Sequence, residues 1–351
     1  MSVRPLGFIE GFYGPQWSWD ERRQVLDWLA ATGLNTYIYA PKGDAVLRSG
    51  WRGHWDVASE EQLHQLRVTA SRRDVALGVG LSPLGLVEDM GAADRRLLRA
   101  KVDRLNALHL DVLCILFDDM RGDIATLPDR QLALVDDIVS RSSAQRHIIC
   151  PTYYSSDPVL ETVFGKMPTG YLTHLGEYLD SSIDVFWCGD KVIAPDIPAD
   201  SLDHLIQVLR RKPVIWDNYF ANDGRQTSDF IPIKQLSGRS ADLAGVTSGH
   251  LLNPMNQSAI ACAVGAQLAD LYQGLSAGDE GYLDKARLPA ELAQGIMRHR
   301  RLFAEKGRTI LNRRDIDMLD DFYRRFDHPV AVEIIRWLNG DYIFDPACLT
   351  G

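Results

Sequence analysis

Two adjacent carboxylates, Asp118 and Asp119, come directly after an apolar run of six residues, 112–117. Such a run is typical of a strand that is buried on both faces, as in a parallel sheet. Two like charges at the end of a buried strand are costly, because desolvation and mutual repulsion both oppose their ionisation. A pair of this kind could supply a general acid and a general base. It could also cap the next segment or face solvent, so this hypothesis needs support from the rest of the chain.

Further polar and aromatic residues lie at or shortly after the ends of other apolar runs. Carboxylates, amides, a lysine and aromatic rings together suit a sugar pocket, in which polar groups bind hydroxyls and rings cover apolar faces. The segments that contain these residues are 10–14, 39–44, 118–119, 150–154, 187–191, 216–218 with 222 and 223, and 253–256. Taken singly, a lysine or asparagine at a loop start is commonly solvated or turn-forming, and a tryptophan is commonly part of the core. Asp217 could be a hydrogen-bond partner behind such a site.

The elements that must position these residues alternate between short apolar strands and amphipathic helices. Ser18, with acidic residues at 20 and 21, predicts a helix start, and Gly33 predicts its end. Eight strands separated by helices indicate a (β/α)8 TIM-like barrel, in which catalytic residues lie at the carboxyl ends of the strands. A doubly wound open sheet is the rival fold. The predicted strands are 6–9, 36–39, 76–81, 112–117, 147–150, 184–187, 213–216 and 245–251. The predicted helices are 21–31, one starting at Ser59, 92–108, 127–142, 201–209 and 258–275.

The alternation stops at a glycine- and acid-rich stretch, 277–281. After it the spacing of apolar residues predicts helices over 289–305, 315–326 and 329–338, and no strand. We therefore divide the chain into a catalytic barrel, residues 1–275, and a C-terminal α-helical segment, residues 276–351. The segment could pack on the barrel or form a subunit interface, in which case the protein would be a homodimer.

The composition is that of an ordinary globular protein: of 351 residues, 46% are hydrophobic and 24% are charged. A net charge of −9 gives no general attraction to nucleic acid or to anionic membranes. No run approaches the roughly 18 apolar residues that span a bilayer, and we see no signal-peptide apolar region. The five cysteines form no Cys-x-x-Cys pair, which favours reduced thiols and a cytoplasmic location. Histidine spacing indicates no metal site, and nucleotide-binding motifs are absent, so we expect no cofactor.

Six motifs occur in one order along the chain and extend over about residues 5–275. They are Glu10-Gly-Phe-Tyr-Gly14, Gly33-Leu-Asn-Thr-Tyr-Ile-Tyr-Ala-Pro-Lys42, Leu116-Phe-Asp-Asp119, Cys150-Pro-Thr-Tyr-Tyr154, Val214-Ile-Trp-Asp-Asn218 with Ala221-Asn-Asp223, and Asn253-Pro254. Together they resemble glycoside hydrolase family 84, the β-N-acetylglucosaminidases that include protein O-GlcNAcase, in a bacterial single-barrel form. The loop after Lys42, Gly-Asp-Ala-Val-Leu-Arg, differs from the type found in the animal enzymes.

The resemblance implies a retaining, substrate-assisted hydrolysis of terminal β-linked GlcNAc, including GlcNAc on Ser or Thr of proteins. The sugar's own 2-acetamido oxygen would attack the anomeric carbon and give an oxazoline intermediate. Asp118 would orient and polarise the acetamido N–H. Asp119 would protonate the leaving oxygen and later deprotonate the attacking water. Because the ligand supplies the nucleophile, two neighbouring carboxylates can hold different protonation states.

The same resemblance implies roles for the other candidates. Tyr154 would hydrogen-bond the acetamido oxygen or the oxazoline, and Asn218 would help to hold that region. The residues that would bind sugar hydroxyls are Lys42, Asp223, Asn253 and the backbone of Gly11. The residues expected around the N-acetyl methyl group are Trp216, as an apolar wall, with Cys150 and Val192 nearby.

Two other functions remain open at this point. One is a non-catalytic GlcNAc-binding barrel, although such lectins usually lose a catalytic carboxylate and both are present here. The other is an oligosaccharide-directed glycosidase of the hexosaminidase, chitinase or hyaluronidase type. The spaced Asp-x-x-Asp-x-Glu pattern that endo-chitinases tend to show is absent.

Overall fold

A computed structural model of the chain describes residues 3–343, except 225, 226, 276–280, 282, 284 and 285. In it, eight parallel strands pair in sequence order and close into a barrel, with the last strand beside the first. The (β/α)8 barrel is therefore confirmed, and the open sheet is wrong. The strands are β1 (Leu6–Glu10), β2 (Thr36–Tyr39), β3 (Ala76–Leu81), β4 (Val112–Leu116), β5 (Arg146–Cys150), β6 (Asp184–Trp187), β7 (Val214–Asp217) and β8 (Gly249–Leu252).

The strands read as continuous apolar runs because both of their faces are covered. Every residue of β2, β4 and β7 is buried. One face of each strand fills the barrel and the other packs against helices, so no polar alternation is needed. Neighbouring strands end level with each other: Leu116 pairs with Cys150, and the Phe117 N–H donates to the Cys150 carbonyl at 2.9 Å. The segments that follow the strands consequently emerge at one edge of the barrel.

Helices connect the strands, and the first shows how the sequence sets their ends. The Ser18 side chain accepts the Glu21 N–H, the Glu21 carboxylate accepts the Ser18 N–H, and Gly33 ends the helix at φ 80°. Both cap residues are as predicted, and the helix covers Trp19–Thr32 rather than the predicted 21–31. The helices of the barrel are α1 (Trp19–Thr32), α2 (Val57–Arg72), α3 (Ala92–Asn106), α4 (Leu127–Val139), α5 (Val159–Phe164), α6 (Tyr171–Tyr178), α7 (Asp203–Leu209), α8 (Leu243–Val246) and α9 (Ser258–Tyr272).

Some local predictions were wrong. Helix α2 starts earlier than Ser59, because the Asp56 carboxylate accepts the Ser59 N–H at 2.7 Å and caps the helix. The predicted strand 245–251 is instead the short helix α8 followed by β8. The reason is register, since β8 pairs with β7 only from Gly249, opposite Val214. Helices α5 and α6 were missed because they have only six and eight residues, with a Gly-Lys-Met-Pro-Thr-Gly stretch between them.

Among the described residues, three more helices follow the barrel, which confirms a helical C-terminal region. They are α10 (Ala290–Arg301), α11 (Arg313–Tyr323) and α12 (Pro329–Asn339), with a π-helical turn at Leu302–Lys306 between the first two. The predicted break at 277–281 lies outside the described residues, apart from Gly281.

Helix α12 is attached to the barrel through a buried carboxylate. Glu333 accepts the backbone N–H groups of Ala259 and Ile260, each at 2.9 Å, and the Ser258 hydroxyl at 3.1 Å. These are the unsatisfied donors at the start of α9, where the helix dipole also favours a negative charge. Burial nevertheless raises the pKa of Glu333 to about 7.

A second attachment joins the loop after β7 to the segment after α10. The Thr309 hydroxyl donates to the Asp229 carboxylate at 2.7 Å, and the Ile231 N–H donates to the Phe303 carbonyl at 2.9 Å. The C-terminal helices therefore contact both segments that follow the last two strands.

Over the described ranges, no helix has the length and apolar content required to cross a bilayer. Four of the five cysteines, Cys114, Cys150, Cys188 and Cys262, are buried and free. The fifth, Cys348, lies outside the described residues.

Candidate functional site

A solvent-open cleft of about 490 Å³ lies where the segments after the strands meet. All nine predicted site residues line it, together with Cys150 and Val192. The lining residues that the sequence did not single out are Tyr13, Cys188, Ile193 and Ala221. Because parallel strands end at one edge, residues at or after the ends of seven of the eight strands converge on this cleft.

Asp118 carries two oxygens in different environments. Its Oδ2 forms an ion pair with the Lys42 ammonium, and its Oδ1 is buried without a hydrogen-bond partner among the described residues. Burial alone would lower the pKa of Lys42, but Asp118 and Asp119 raise it above its usual value, so the lysine stays charged. One carboxylate oxygen is thus paired with Lys42, while the other has no donor among the described residues.

Asp119 is turned away from the strand by its backbone, which has φ 56°. Its Oδ2 accepts the Tyr13 hydroxyl at 2.6 Å and lies 3.7 Å from the Lys42 Nζ and 3.8 Å from an Arg48 nitrogen. Burial and the Asp119 charge raise the pKa of Tyr13, so its hydroxyl remains a donor. Lys42 therefore lies within ion-pair distance of both carboxylates, but their hydrogen bonds differ: Asp118 accepts from Lys42 and Asp119 accepts from Tyr13.

Tyr13 and Arg48 are site residues that the sequence analysis missed. Tyr13 stands inside the first motif, and its position there was the available signal. Arg48 lies in the loop after β2, beyond Lys42, where an arginine is ordinarily solvated. Here its guanidinium lies over the Tyr13 ring, 5.4 Å from the ring centroid.

An interlocked set of side chains forms the wall opposite the acidic pair. The Asn218 Oδ1 accepts from Trp216 Nε1 and from Asn253 Nδ2, both at 2.9 Å, and the Asn218 Nδ2 donates to the Val192 carbonyl at 2.8 Å. The Gly11 N–H donates to the Asn253 Oδ1 at 3.1 Å. A Cβ atom at Gly11 would come within 2.4 Å of the Trp216 ring, so only glycine fits beneath that tryptophan.

Asp217 supports this wall from behind. Arg239 donates two hydrogen bonds of 2.8 Å to its carboxylate, and His250 Nε2 lies 3.0 Å from it. Burial alone would raise the pKa of Asp217, but Arg239 and His250 hold it well below its usual range. Arg239 also donates to the Ala194 carbonyl at 2.7 Å, which fixes the segment that begins with Val192. Asp217 is therefore a hydrogen-bond partner rather than a residue of the cleft lining.

Asp223 closes the cleft on the side of β1. Its Oδ2 accepts the Tyr13 N–H at 2.8 Å. Burial raises the pKa of Asp223 to about 6, against the lowering effect of that hydrogen bond. Within the part of the chain that the structure describes, no three His, Cys, Asp or Glu side chains are grouped to hold a metal ion.

The chain is similar to known proteins both in sequence and in structure. A family model described as beta-N-acetylglucosaminidase matches residues 6–280. The Protein O-GlcNAcase of Rattus norvegicus and that of Mus musculus are each 31% identical to this chain over 258 residues. Each match covers 71% of this chain and 28% of the relative, so the chain spans under a third of the length of these relatives. A solved structure of an O-GlcNAc hydrolase mutant from Thermobaculum terrenum superposes with a TM-score of 0.75 at 25% identity, covering 95% of this chain and 80% of that one.

Proposed function

This chain belongs to the β-N-acetylglucosaminidase family, glycoside hydrolase family 84, and from that premise we propose that it is a retaining exo-β-N-acetylglucosaminidase of the O-GlcNAcase type. It would release terminal β-linked GlcNAc, including GlcNAc on Ser or Thr of proteins, by substrate-assisted catalysis. The observation that carries the proposal is the Asp118 side chain, which lines the cleft beside a second carboxylate and has a buried Oδ1 with no partner among the described residues.

In this mechanism Asp118 prepares the substrate's own nucleophile. Its unpartnered Oδ1 accepts the acetamido N–H. This hydrogen bond directs the acetamido oxygen to the anomeric carbon and increases the negative charge on that oxygen. Lys42 neutralises the other Asp118 oxygen, so the carboxylate does not have to be protonated to remain buried. The C1–O bond to the leaving group breaks as the bond to the acetamido oxygen forms, which gives an oxazoline.

Asp119 transfers the protons in both steps. In the first step its proton goes to the leaving oxygen, and in the second it takes a proton from the water that opens the oxazoline. Tyr13 holds the Asp119 carboxyl at 2.6 Å and fixes its orientation. Two displacements at the same carbon restore the β configuration, so the enzyme retains stereochemistry.

The remaining residues bind the sugar. Tyr154 would contact the acetamido oxygen, and Asn218, held on both sides by its own hydrogen bonds, would help to hold that region. Trp216 would cover the N-acetyl methyl group, with Cys150 and Val192 beside it. Because Asn253 occupies the Gly11 N–H, the backbone group of Gly11 that is left for a hydroxyl is its carbonyl. The residues proposed to bind hydroxyls are Gly11, Lys42, Asp223 and Asn253.

Asp223 gives this site a testable pH dependence. The ionised carboxylate accepts hydrogen bonds from sugar hydroxyls, and its pKa is raised to about 6. We therefore expect kcat/KM, which reports the free enzyme, to fall as the pH drops through about 6. In Asp223→Asn this acid limb should disappear, with a lower plateau. The measurement is kcat/KM on one aryl glycoside from about pH 5 to about pH 8.

Melting temperature provides the control for that variant. An ionised Asp223 costs folding free energy, because its pKa is higher in the folded state than in the unfolded chain. This cost is absent below about pH 4 and complete above about pH 6. At neutral pH, Asp223→Asn should therefore melt no earlier than the wild-type protein. An acid limb that is unchanged in the variant would remove Asp223 from this role.

The proposed function is tested by comparing an aryl β-GlcNAc glycoside with its deacetylated 2-amino analogue. We expect turnover of the first, with the β anomer appearing first in proton NMR spectra, and no detectable turnover of the second. Comparable hydrolysis of both would exclude acetamido participation. Binding of GlcNAc without any turnover would favour the non-catalytic barrel instead.

Product analysis separates the remaining alternative. An oligosaccharide-directed enzyme would act better on chitooligosaccharides than on an O-GlcNAc peptide, whereas the proposed enzyme would release GlcNAc from the peptide. We also propose a cytoplasmic enzyme that needs no cofactor and has no nucleic-acid or membrane partner. We propose two parts of the chain, a catalytic barrel at residues 1–275 and a helical segment at residues 276–351. We also propose that the protein is a homodimer.

A further inference from the structure

We propose that a depression beside Asp119 binds a leaving group that carries a carboxylate, with Arg48 as the residue that recognises it. This inference rests on the proposed function and specifies its substrate class. The depression holds about 770 Å³ of solvent-open space, on the measure that gives about 490 Å³ for the cleft, and it shares Tyr13 and Asp119 with the cleft. A group that departs from the sugar with the Asp119 proton would therefore enter it directly.

The lining combines an apolar surface with two guanidinium groups. The apolar residues are Met120, Val163 and Phe164, and the basic ones are Arg48 and Arg121. Asp119 is the one carboxylate among the residues that line this depression. Such a surface suits a leaving group with an apolar body and one negative charge.

Arg48 is held in place but makes little use of its donors. Its side chain is only 18% exposed, and its Nε is buried with no hydrogen-bond partner among the described residues. The structure gives Arg48 one hydrogen bond, a long one of 3.5 Å to the Asp119 carbonyl, and an ion-pair contact of 3.8 Å with Asp119 Oδ2. A guanidinium has five N–H donors, and leaving them unpaired at a partly buried site is costly. A bound carboxylate would satisfy two of them at once.

Arg121 contributes less than Arg48. Its guanidinium is bound to the Asp123 carboxylate, and its side chain is 60% exposed at the rim of the depression. Solvent and the Asp123 charge therefore screen it from a ligand.

The charge of Asp119, and with it the net charge of the depression, becomes more negative during the proposed reaction. The proposed first step requires a protonated Asp119, and in that form no anion in the lining opposes the two arginines. After the proton has left with the leaving oxygen, Asp119 is negative and repels the anionic product. The same residue therefore favours binding of an acidic substrate and release of its acidic leaving group.

The test uses aryl β-GlcNAc glycosides that differ in the charge of the aglycone. The kcat/KM of a 3-carboxyphenyl glycoside is compared with that of neutral aryl glycosides, including the 3-carboxamidophenyl one. The neutral series is plotted against leaving-group pKa, and the value for a neutral leaving group of the same pKa is read from that plot by interpolation. We expect kcat/KM of the wild-type protein to be about tenfold higher for the carboxylate, the value of one charge-assisted hydrogen-bond pair. The preference should fall with added salt, because the depression is open to solvent.

The Arg48→Gln variant should lose the preference, and Arg48→Lys should keep part of it. Since Arg48 lies beside Asp119, both substrates can lose rate in these variants, so the readout is the ratio between substrates. Arg301→Gln is the matched control, because Arg301 is a 73% exposed arginine on α10 that lies outside this lining. This control should leave the ratio unchanged.

Two natural sources of the carboxylate are then distinguished. One arm uses O-GlcNAc peptides with Asp or Glu beside the modified residue against their Asn or Gln counterparts. The other uses a GlcNAc disaccharide whose second sugar bears a carboxylate against its amide. A wild-type ratio near one in the aryl series would overturn the inference while the proposed function stands. If nothing is hydrolysed, the proposed function fails. The inference is then decided by calorimetry, which compares the affinities of wild-type and Arg48→Gln protein for the carboxylate and carboxamide glycosides.

Discussion

The Asp119→Asn variant will hydrolyse a glycoside with a poor leaving group about 10²–10⁴ times more slowly than the wild-type protein, because general acid catalysis contributes about that much. A highly activated aryl glycoside, whose leaving group departs almost without protonation, should lose far less. Asparagine is the informative substitution because residue 119 has φ 56°, a left-handed conformation that Asn tolerates well. Its side-chain oxygen can still accept the Tyr13 hydroxyl. The measurement is kcat/KM across a series of aglycones of increasing pKa.

The slope of that series provides the control. The plot of log kcat/KM against leaving-group pKa should become steeper in Asp119→Asn than in the wild-type protein. Tyr13→Phe removes a 2.6 Å hydrogen bond to the same carboxylate but leaves the acid in place, so it should show a weaker version of the same change. An equal loss on activated and unactivated substrates would remove Asp119 from the acid role.

Asp118→Asn should reduce kcat about 10²–10³-fold on both classes of substrate, similar to the loss of one preorganised group that stabilises the transition state. Acetamido participation is needed whatever the leaving group is, so activation of the aglycone cannot compensate. If the substituted amide places an N–H opposite the acetamido N–H, orientation of the nucleophile is lost altogether.

This variant also leaves Lys42 buried without its main counter-ion. Its melting temperature should therefore be compared with that of Lys42→Met, which leaves the Asp118 carboxylate in the same position without the ammonium. If the rate loss in Asp118→Asn persists well below both melting temperatures, it comes from the catalytic step and not from unfolding. Intact turnover of aryl glycosides by folded Asp118→Asn would show that the substrate-assisted mechanism is wrong.

The barrel was predictable because its strands are short apolar runs and its helices carry caps and periodic apolar faces. What the sequence could not fix was local register and short helices. Strand β8 starts at Gly249 because β7 offers a partner there, and this depends on a residue 35 positions earlier in the chain. Helices α5 and α6 are too short for their periodicity to be evident.

The composition of the cleft was also predictable, since motif residues after parallel strands must converge at one edge. The contacts among them were not. The hydrogen bonds from Lys42 to Asp118 and from Tyr13 to Asp119 join segments that follow different strands, so the sequence of one segment does not reveal them. Arg48 could not be identified, because its position depends on how the loop after β2 folds back over the Tyr13 ring.

If Asn253 and Asp223 bind the sugar as proposed, the Glu333 contacts couple helix α12 to sugar binding. Glu333 holds the first turn of α9, which begins five residues after Asn253, while Thr309 holds Asp229, six residues after Asp223. Sugar binding and docking of the C-terminal helices would both order these two segments. Docking would then favour sugar binding by the same free energy by which sugar binding favours docking. Substitutions in α12, far from any contact with substrate, would then weaken affinity in proportion to the undocked population that they create.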